Sequence, residues 1–415
     1  MEAVQFEIPR ALWHTRVQGV VFFWMACSLL LLPFVGSGEH VGWLLAHALL
    51  LGAVTNALFI WTWHFTCAIL RVPGQQDRST EIQRLAVLNL GVVGVLIGVP
   101  SDGHIVTVVS AACIVAAVLH LGWSIRNAMR DALPSPYAFT ARAYLAATML
   151  LVTGAAVAVI HESFTFSEEQ EPRVVLVHVT FNLLGWIGIP ILGTIVTLWP
   201  TMLRTKIDAQ AAMFARFTLR YLMIAPVVVA LGLWNDMPAL AIFGIAVYAA
   251  AFVVTLLPIV RVMRTKPATS FATRSALAGL AWMFLSLLLF AFAIARWGIV
   301  DTEEHGAGIL VAMVAGGILQ VLLGCMAYLL PAMAAGGPAK ARWRNDRADR
   351  GQRLRLVITN AGVLLAIAAP DGGRGPGVAL LMAGFAMTAL ATASTLRQPT
   401  EAEIAAAEAK RPPMV

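Results

Sequence analysis

Charged residues are scarce in this chain. Asp, Glu, Lys and Arg make up only 12% of its 415 residues, whereas soluble proteins average about 25%. Hydrophobic residues make up 59%. This composition excludes an ordinary soluble protein and predicts an integral membrane protein whose first partner is the lipid bilayer.

Cysteine is also scarce, and its spacing is uninformative about metals. The four cysteines are Cys27, Cys67, Cys113 and Cys325. None of them forms a C-x-x-C pair or a zinc-type pattern. The spacing therefore excludes a zinc module, and we interpret these residues as small, buried apolar side chains.

Acidic residues are absent from the middle of every predicted span. Proton pumps and proton-coupled carriers use carboxylates embedded in the membrane as relays or coupling sites. The chain also lacks a Ser-His-Asp arrangement, a phosphate-binding glycine loop and an H-x-x-x-H helix. Short loops leave no room for a soluble catalytic domain.

Long apolar runs are abundant instead. Runs near 20 residues match the length of helix that crosses the hydrocarbon layer, so we predict an all-α, polytopic transmembrane bundle of about 12 helices. The predicted spans are 17–35, 42–70, 85–100, 104–125, 143–161, 174–199, 217–234, 238–260, 275–298, 306–332, 356–369 and 376–396. Residues 1–396 form one integral membrane domain, followed by a cytoplasmic C-terminal tail at 397–415. We find no repeat between the two halves.

Basic residues alternate between the two sides of these spans. If both termini are cytoplasmic, 26 of the 29 Lys and Arg residues lie on the inner side, and only Arg173, Arg296 and Arg374 lie outside. This asymmetry obeys the positive-inside rule. The formal net charge of +7 then reflects topology rather than binding to nucleic acid, and we predict a multi-pass protein of the plasma (inner) membrane.

Two of the histidines within apolar spans stand out, because an imidazole there is costly unless it binds a ligand, pairs or faces a polar cavity. These are His47 and His178. At 100° per residue, Asn182 and Gly185 share a helix face with His178, which would present a ligand, an amide and a bare backbone to a porphyrin edge. The alternative is that Gly185 mediates helix packing and His178 bonds a neighbour.

Other histidines are weaker candidates. His161 and His305 lie at predicted helix ends, where solvent can satisfy an imidazole, and we retain both as candidate cofactor ligands. A rival scheme pairs His47 with His104 on the outer side and His64 with His120 on the inner side. Their spacing on ideal helices turns the two imidazoles of each helix to different faces, which argues against two haems between one helix pair.

Two segments resemble a known family. HALLLGAVTNALFIWTWHF and HVTFNLLGWIGIPILGTIVTLWPTMLRTK are similar to divergent relatives of haem-copper oxidase subunit I. The similarity is to the actinobacterial membrane domain associated with copper nitrite reductase and multicopper-oxidase modules, and more distantly to NnrS proteins. The resemblance implies a haem b cofactor, with copper as a second candidate, and helices two, six and ten side by side around a common cavity.

The resemblance also implies roles for individual residues. It makes His47 a haem ligand and His178 a metal ligand, and it assigns to His305 one half of an H-x-H pair. Residues 217–234 lack the histidine pair of a copper site, so a proton-pumping oxygen reductase is not expected. The implied function is electron transfer or nitrite, nitric oxide or copper physiology, with quinol, an outer-side copper protein or a cytochrome as partner.

Two alternatives come from other classes of protein. Twelve spans also describe membrane transporters, and the loop RVPGQQDRSTEIQR faintly resembles a facilitator loop. The absence of buried charge and of similar halves argues against a carrier. A cofactor-free scaffold subunit, in which the histidines are incidental, is the third hypothesis.

Overall fold

The computed structural model describes residues 10–38, 40–72, 78–334, 336–368 and 375–409. Throughout these residues the regular structure is helical, and none of it is strand. The predicted all-α architecture is therefore confirmed. Arg374, Lys410 and Arg411, which entered the charge prediction, lie outside the described residues.

The described residues form fourteen helices, numbered here in chain order. They are α1 (Trp13–Phe34), α2 (Val41–Leu70), α3 (Arg78–Ser101), α4 (His104–Asp131), α5 (Ala138–Ser163), α6 (Glu171–Leu203), α7 (Ala211–Trp234), α8 (Pro238–Thr265), α9 (Phe271–His305), α10 (Ala307–Met333), α11 (Pro338–Ala348), α12 (Gln352–Ala368), α13 (Gly375–Ser394) and α14 (Glu401–Ala409).

Eleven of the described helices, α1–α10 and α13, are long and apolar enough to cross a membrane. Helix α12 matches the predicted span at 356–369. It has 17 residues, which is the lower limit for crossing the hydrocarbon layer. The fold is a polytopic membrane bundle, and helices α1–α10 occur where the hydropathy predicts them.

Three helices contain a π-helical segment. The segments are Ala48–Val54 in α2, Phe181–Gly188 in α6 and Ala312–Ile318 in α10. In a π-helix the backbone bonds run from i to i+5, so the segment inserts an extra residue and leaves nearby carbonyls underused. Such segments occur most often at functional sites.

Side chains satisfy carbonyls in each of these segments, as hydrocarbon requires. In α2, Thr55 donates to the Leu50 carbonyl at 2.9 Å and Asn56 donates to the Gly52 carbonyl at 2.7 Å. In α6 the Leu184 carbonyl accepts the Tyr248 hydroxyl at 2.9 Å, and in α10 Gln320 donates to Gly316 at 2.8 Å. Polar residues in mid-span therefore stabilise the distorted helices.

Each π-helical segment also carries a glycine that lies against the preceding span. A β-carbon on Gly52 would lie 2.7 Å from Trp24, one on Gly185 would lie 2.8 Å from Leu150, and one on Gly316 would lie 2.8 Å from Trp282. The missing side chain lets α1, α5 and α9 approach α2, α6 and α10 closely.

These correspondences divide twelve of the described helices, the eleven long apolar ones and α12, into three units of four. The units are α1–α4, α5–α8 and the set α9, α10, α12 and α13. In each unit the first helix packs on the π-helical second helix, and the third and fourth helices form a close pair. The two halves of the sequence are not similar because the structural repeat comprises three units rather than two.

The first and last units each contain a hydrogen-bond network of the same kind. Trp24 donates to Asn89 at 2.7 Å, and Asn89 exchanges bonds of 2.8 and 3.1 Å with Asn56. In the last unit, Trp282 donates to Asn360 at 2.7 Å, and Asn360 exchanges two bonds of 3.2 Å with Gln320. Each network joins three helices of its unit.

The last helix docks on α11 outside the membrane helices. Arg342 of α11 donates to the Ala407 carbonyl of α14 at 3.0 Å. Arg397 forms an ion pair with Glu403 and lies 4.8 Å from the ring centre of the buried Trp343. The tail predicted at 397–415 therefore contains a docked helix as far as Ala409.

Candidate functional site

The structure brings together the two histidines that the sequence singles out. The ring centres of His47 on α2 and His178 on α6 are 6.3 Å apart, and the ring planes are inclined by 27°. His47 lies directly before the π-helical segment of α2, and His178 lies three residues before that of α6. Residues 131 positions apart in the sequence (178 − 47) thus form one pair of imidazoles.

Both rings are fixed in the same way. The Nδ1–H group of His47 donates to the Trp43 carbonyl at 2.9 Å, and the Nδ1–H group of His178 donates to the Gly154 carbonyl at 2.9 Å. A carbonyl only accepts, so these bonds select the tautomer in which Nε2 carries the lone pair. Metal-binding histidines are oriented by this kind of bond.

Neighbouring side chains hold each ring in place. Trp43 stacks on His47 with ring centres 4.0 Å apart. The Asn182 amide donates to the His178 carbonyl at 2.7 Å and lies 3.4 Å from both ring nitrogens. A β-carbon on Gly154 would lie 2.6 Å from this amide, so Gly154 makes room for Asn182.

Gly185 lies against α5, the helix that also bonds His178. A β-carbon on Gly185 would lie 2.8 Å from Leu150 of α5, and His178 bonds the Gly154 carbonyl of the same helix. This contact supports helix packing at Gly185, and its role beside a cofactor stays a prediction.

The other candidate histidines are not part of the pair. His161 lies near enough to interact electrostatically with His178, but its ring packs on Phe166 and its Nε2 lies 3.7 Å from Glu171. His305 is exposed at the end of α9, beyond a break at Gly298, where it stacks on Trp297. Its Nδ1–H group donates to the Asp301 carbonyl at 2.8 Å.

The rival pairing of histidines is not formed. His64 meets His14 of α1 with ring centres 4.8 Å apart, and His120 packs against Trp123. His104 is exposed at the start of α4. His47 instead pairs with His178 of α6, a helix that carries none of the other histidines of that scheme.

Helices α2, α6 and α10 line a narrow cavity on the far side of the π-helical segments from the histidines. Its volume is ≈ 70 Å³, and Val54, Pro190 and Ile318 lie at its edge. A water molecule needs about 10–15 Å³ of such space, so the cavity has room for several small molecules. The expected adjacency of these three helices is confirmed, but the two imidazoles do not line this cavity.

The half-buried carboxylate of Glu81 was not predicted from the sequence. Helix α3 begins at Arg78 rather than at 85, which brings Glu81 into the helix. Glu81 accepts the indole N–H groups of Trp13 at 3.1 Å and Trp63 at 3.0 Å. The buried Arg84 lies one turn away and packs over Trp63. Trp13 and Trp63 lie at one end of α1 and α2, and this pair was the feature of the sequence that could have indicated a partner for Glu81.

The imidazole pair supplies two nitrogen ligands. Among the described residues, no group of three or more His, Cys, Asp or Glu side chains is arranged to hold a metal ion. Neutral imidazoles are nevertheless the commonest protein ligands of transition metals and of haem iron. The donor set therefore fits a group that brings its own further ligands, as a porphyrin does.

No family model matches the chain, and no curated protein matches it.

Proposed function

We propose that this membrane protein binds a haem b, or a related copper-containing centre, through Nε2 of His47 and Nε2 of His178. The observation that carries the proposal is the pair of imidazoles 6.3 Å apart, each bonded at Nδ1 to a backbone carbonyl. Two imidazoles that bound one metal would each place Nε2 about 2 Å from it, and the observed separation of the ring centres is compatible with one metal ion between them.

The surroundings of the pair support a fixed, partly buried centre. Trp43 and Asn182 restrict the two rings, and the bonds to Trp43 and Gly154 hold each lone pair in one direction. A bound haem with two imidazole ligands exchanges single electrons. His47 and His178 would orient it and hold their protons at Nδ1, and the half-buried site would limit access of water.

This arrangement favours electron transfer over oxygen reduction. The segment Ala211–Trp234 contains no histidine, so it cannot supply the ligand pair of an oxidase copper site. The proposed role is electron transfer in nitrite, nitric oxide or copper physiology within a divergent haem-copper oxidase-like family. Quinol is the proposed donor, and a copper protein or cytochrome on the outer side is the proposed acceptor.

The test is a reduced-minus-oxidised visible spectrum of the purified protein, with iron and copper analysis of the same sample. We expect a b-type band that disappears in His47→Gly and His178→Gly. His305→Gly is the matched control, because its imidazole also stacks on a tryptophan and bonds a carbonyl. This control should keep the band.

Rescue separates loss of a ligand from loss of the fold. Added imidazole should restore the band in the folded His47→Gly protein, because it can enter the space that the side chain leaves. A wild-type protein without iron, copper or visible absorption would refute the proposal. Equal loss of the band in the His305→Gly control would also refute the assignment of the ligands.

A further inference from the structure

A second cavity lies at the basic end of the bundle, where α6, α9, α10 and α11 meet. Its volume is ≈ 420 Å³, which is far more than the 10–15 Å³ or so that a water molecule needs. None of the residues of the histidine pair lines it. The cavity is therefore a separate site with room for a chemical group of substantial size.

Two cationic side chains line this cavity. Arg204 follows the last residue of α6, and Lys266 follows the last residue of α8. Both are exposed, and neither forms an ion pair with any residue in the described part of the chain. Because Arg204 ends its helix in a left-handed conformation with φ of 53°, its backbone bonds to Thr201 at 3.1 Å.

The acidic residue in the wall is already engaged. Asp349 accepts the backbone N–H of Phe271 at 2.6 Å. The guanidinium of Arg355 lies 3.8 Å from the centre of the Phe271 ring and attracts the Asp349 carboxylate. Arg355 is only 2% exposed. The charge of Asp349 is thus balanced from behind the wall, which leaves the charge of Arg204 and Lys266 facing the cavity.

The rest of the wall is divided into polar and apolar parts. Thr269, in the loop before α9, and Asn345, on α11, are polar residues of the lining. Met202, Leu203 and Ala327 form the side towards the membrane helices. Such a division suits an amphiphilic molecule with an anionic head, and anionic lipids are concentrated in the cytoplasmic leaflet.

We propose that this cavity binds the phosphate group of an anionic phospholipid, with Arg204 and Lys266 as its cationic contacts. A soluble phosphate compound offers the same chemistry. The apolar wall of Met202, Leu203 and Ala327 favours the lipid, because it suits the apolar part of an amphiphile better than a small hydrophilic ion. The site lies at the end of the bundle that the distribution of basic residues assigns to the cytoplasm.

The test compares lipid binding by native mass spectrometry. Wild-type protein is titrated with phosphatidylglycerol or phosphatidylcholine, alongside the double variant Arg204→Gln and Lys266→Gln. We expect wild type to prefer phosphatidylglycerol and the double variant to bind it about thirtyfold more weakly, since each of the two basic residues near an anionic lipid contributes on the order of 1 kcal/mol.

Matched variants keep the test specific. Arg126→Gln with Arg130→Gln removes two exposed charges at the same end of α4 and should leave the binding unchanged. Arg204→Lys with Lys266→Arg keeps both charges and should retain it. Circular dichroism checks that every variant keeps its helices.

The outcomes separate the two sources of phosphate. In one outcome, inorganic phosphate protects wild type, but not the double variant, against thermal unfolding while neither lipid is preferred. That result would assign the site to a soluble ligand and overturn the lipid. Equal binding of phosphatidylglycerol by wild type and the double variant, with no effect of phosphate, would overturn the site altogether.

Discussion

The first and last four-helix units have the same internal network but different chemistry. Trp24, Asn56 and Asn89 tie the first unit together as Trp282, Gln320 and Asn360 tie the last. His47 lies five residues before the glycine of its π-helical segment, and Val311 lies five residues before the corresponding Gly316. The network is therefore a feature of the scaffold, and it does not depend on the presence of a histidine.

The middle unit sharpens this contrast. It supplies His178, yet its π-helical carbonyl is satisfied by Tyr248, and Tyr144 bonds Thr194 at 2.6 Å. A histidine can thus occur with a different scaffold network, and the network can occur without a histidine. The predictions below separate the two contributions.

The largest expected effect comes from the shared network. Asn89→Ala and Asn360→Ala each leave an indole N–H and the side-chain amide oxygen of Asn56 or Gln320 without a partner. We expect each to lower the free energy of unfolding by about 2 kcal/mol, measured by denaturant titration. Asn235→Ala, at the exposed end of α7, should have little effect.

The same two variants should differ at the proposed cofactor site. Asn89 bonds Asn56 of α2, the helix that carries His47, so Asn89→Ala should broaden or weaken the visible band. Asn360→Ala should leave the band intact because α10 carries no histidine ligand. Equal damage to the band in both variants would show that the scaffold and the site are not separable.

A smaller loss is expected at the glycines of the π-helical segments. The β-carbon of Gly52→Ala would meet Trp24 at 2.7 Å. Overpacking costs about 1–3 kcal/mol, and alanine returns up to about 1 kcal/mol of helix propensity, so we expect a net loss of about 1 kcal/mol. Gly42→Ala, which has open space around it, should be neutral or stabilising. Equal stability of the two variants would contradict close helix packing at Gly52.

Trp43→Leu should change the site without removing it. The Trp43 ring stacks on His47, but the bond to His47 comes from the Trp43 backbone carbonyl, which leucine retains. We expect bound haem to remain while the visible band and midpoint potential shift. Trp297→Leu, which removes the ring stacked on His305, should shift neither. Complete loss of haem in Trp43→Leu would mean that the ring itself holds the cofactor.

The smallest effect concerns the docked tail, which lies outside all three units. Hydrogen bonds from Arg397 lower the pKa of Glu403 from 4.5 to about 2. A lowered pKa stabilises the docked helix above about pH 4.5, and this contribution fades as the pH falls towards 2. Hydrogen exchange in Glu401–Ala409 should therefore quicken between these values, and Glu403→Gln should lose the pH dependence. Unchanged exchange would contradict the role of the ion pair.

Much of the fold could be predicted from hydropathy alone. Hydrocarbon requires apolar helices of defined length, so the composition places α1–α10 closely. The start of α3 was missed because Glu81 and Arg84 lower the local hydropathy, although indoles and an aromatic face compensate both charges. Such compensation depends on helices α1 and α2, which a scan of one segment does not include.

The site could be predicted only in part. His47 and His178 stand out because a histidine in an apolar span needs a reason, but their separation depends on tertiary packing. No propensity in the sequence indicates a π-helical segment, so the angular spacing of residues along α6 could not be predicted. Trp43 lies one turn before His47, and that spacing could have identified its ring as a neighbour. Nothing in the sequence indicates the Gly154 carbonyl.

The amide networks have a consequence for how this protein can move. Alternating access requires helices to exchange partners between two states, yet Asn56, Asn89, Gln320 and Asn360 each use their amides to bind another helix of the same unit. Rocking one of these helices would break several bonds in a medium without water to replace them. A bundle cross-tied in this way resists reorganisation, and the proposed redox centre, held between stiff walls, would change its charge with little movement of the nuclei around it.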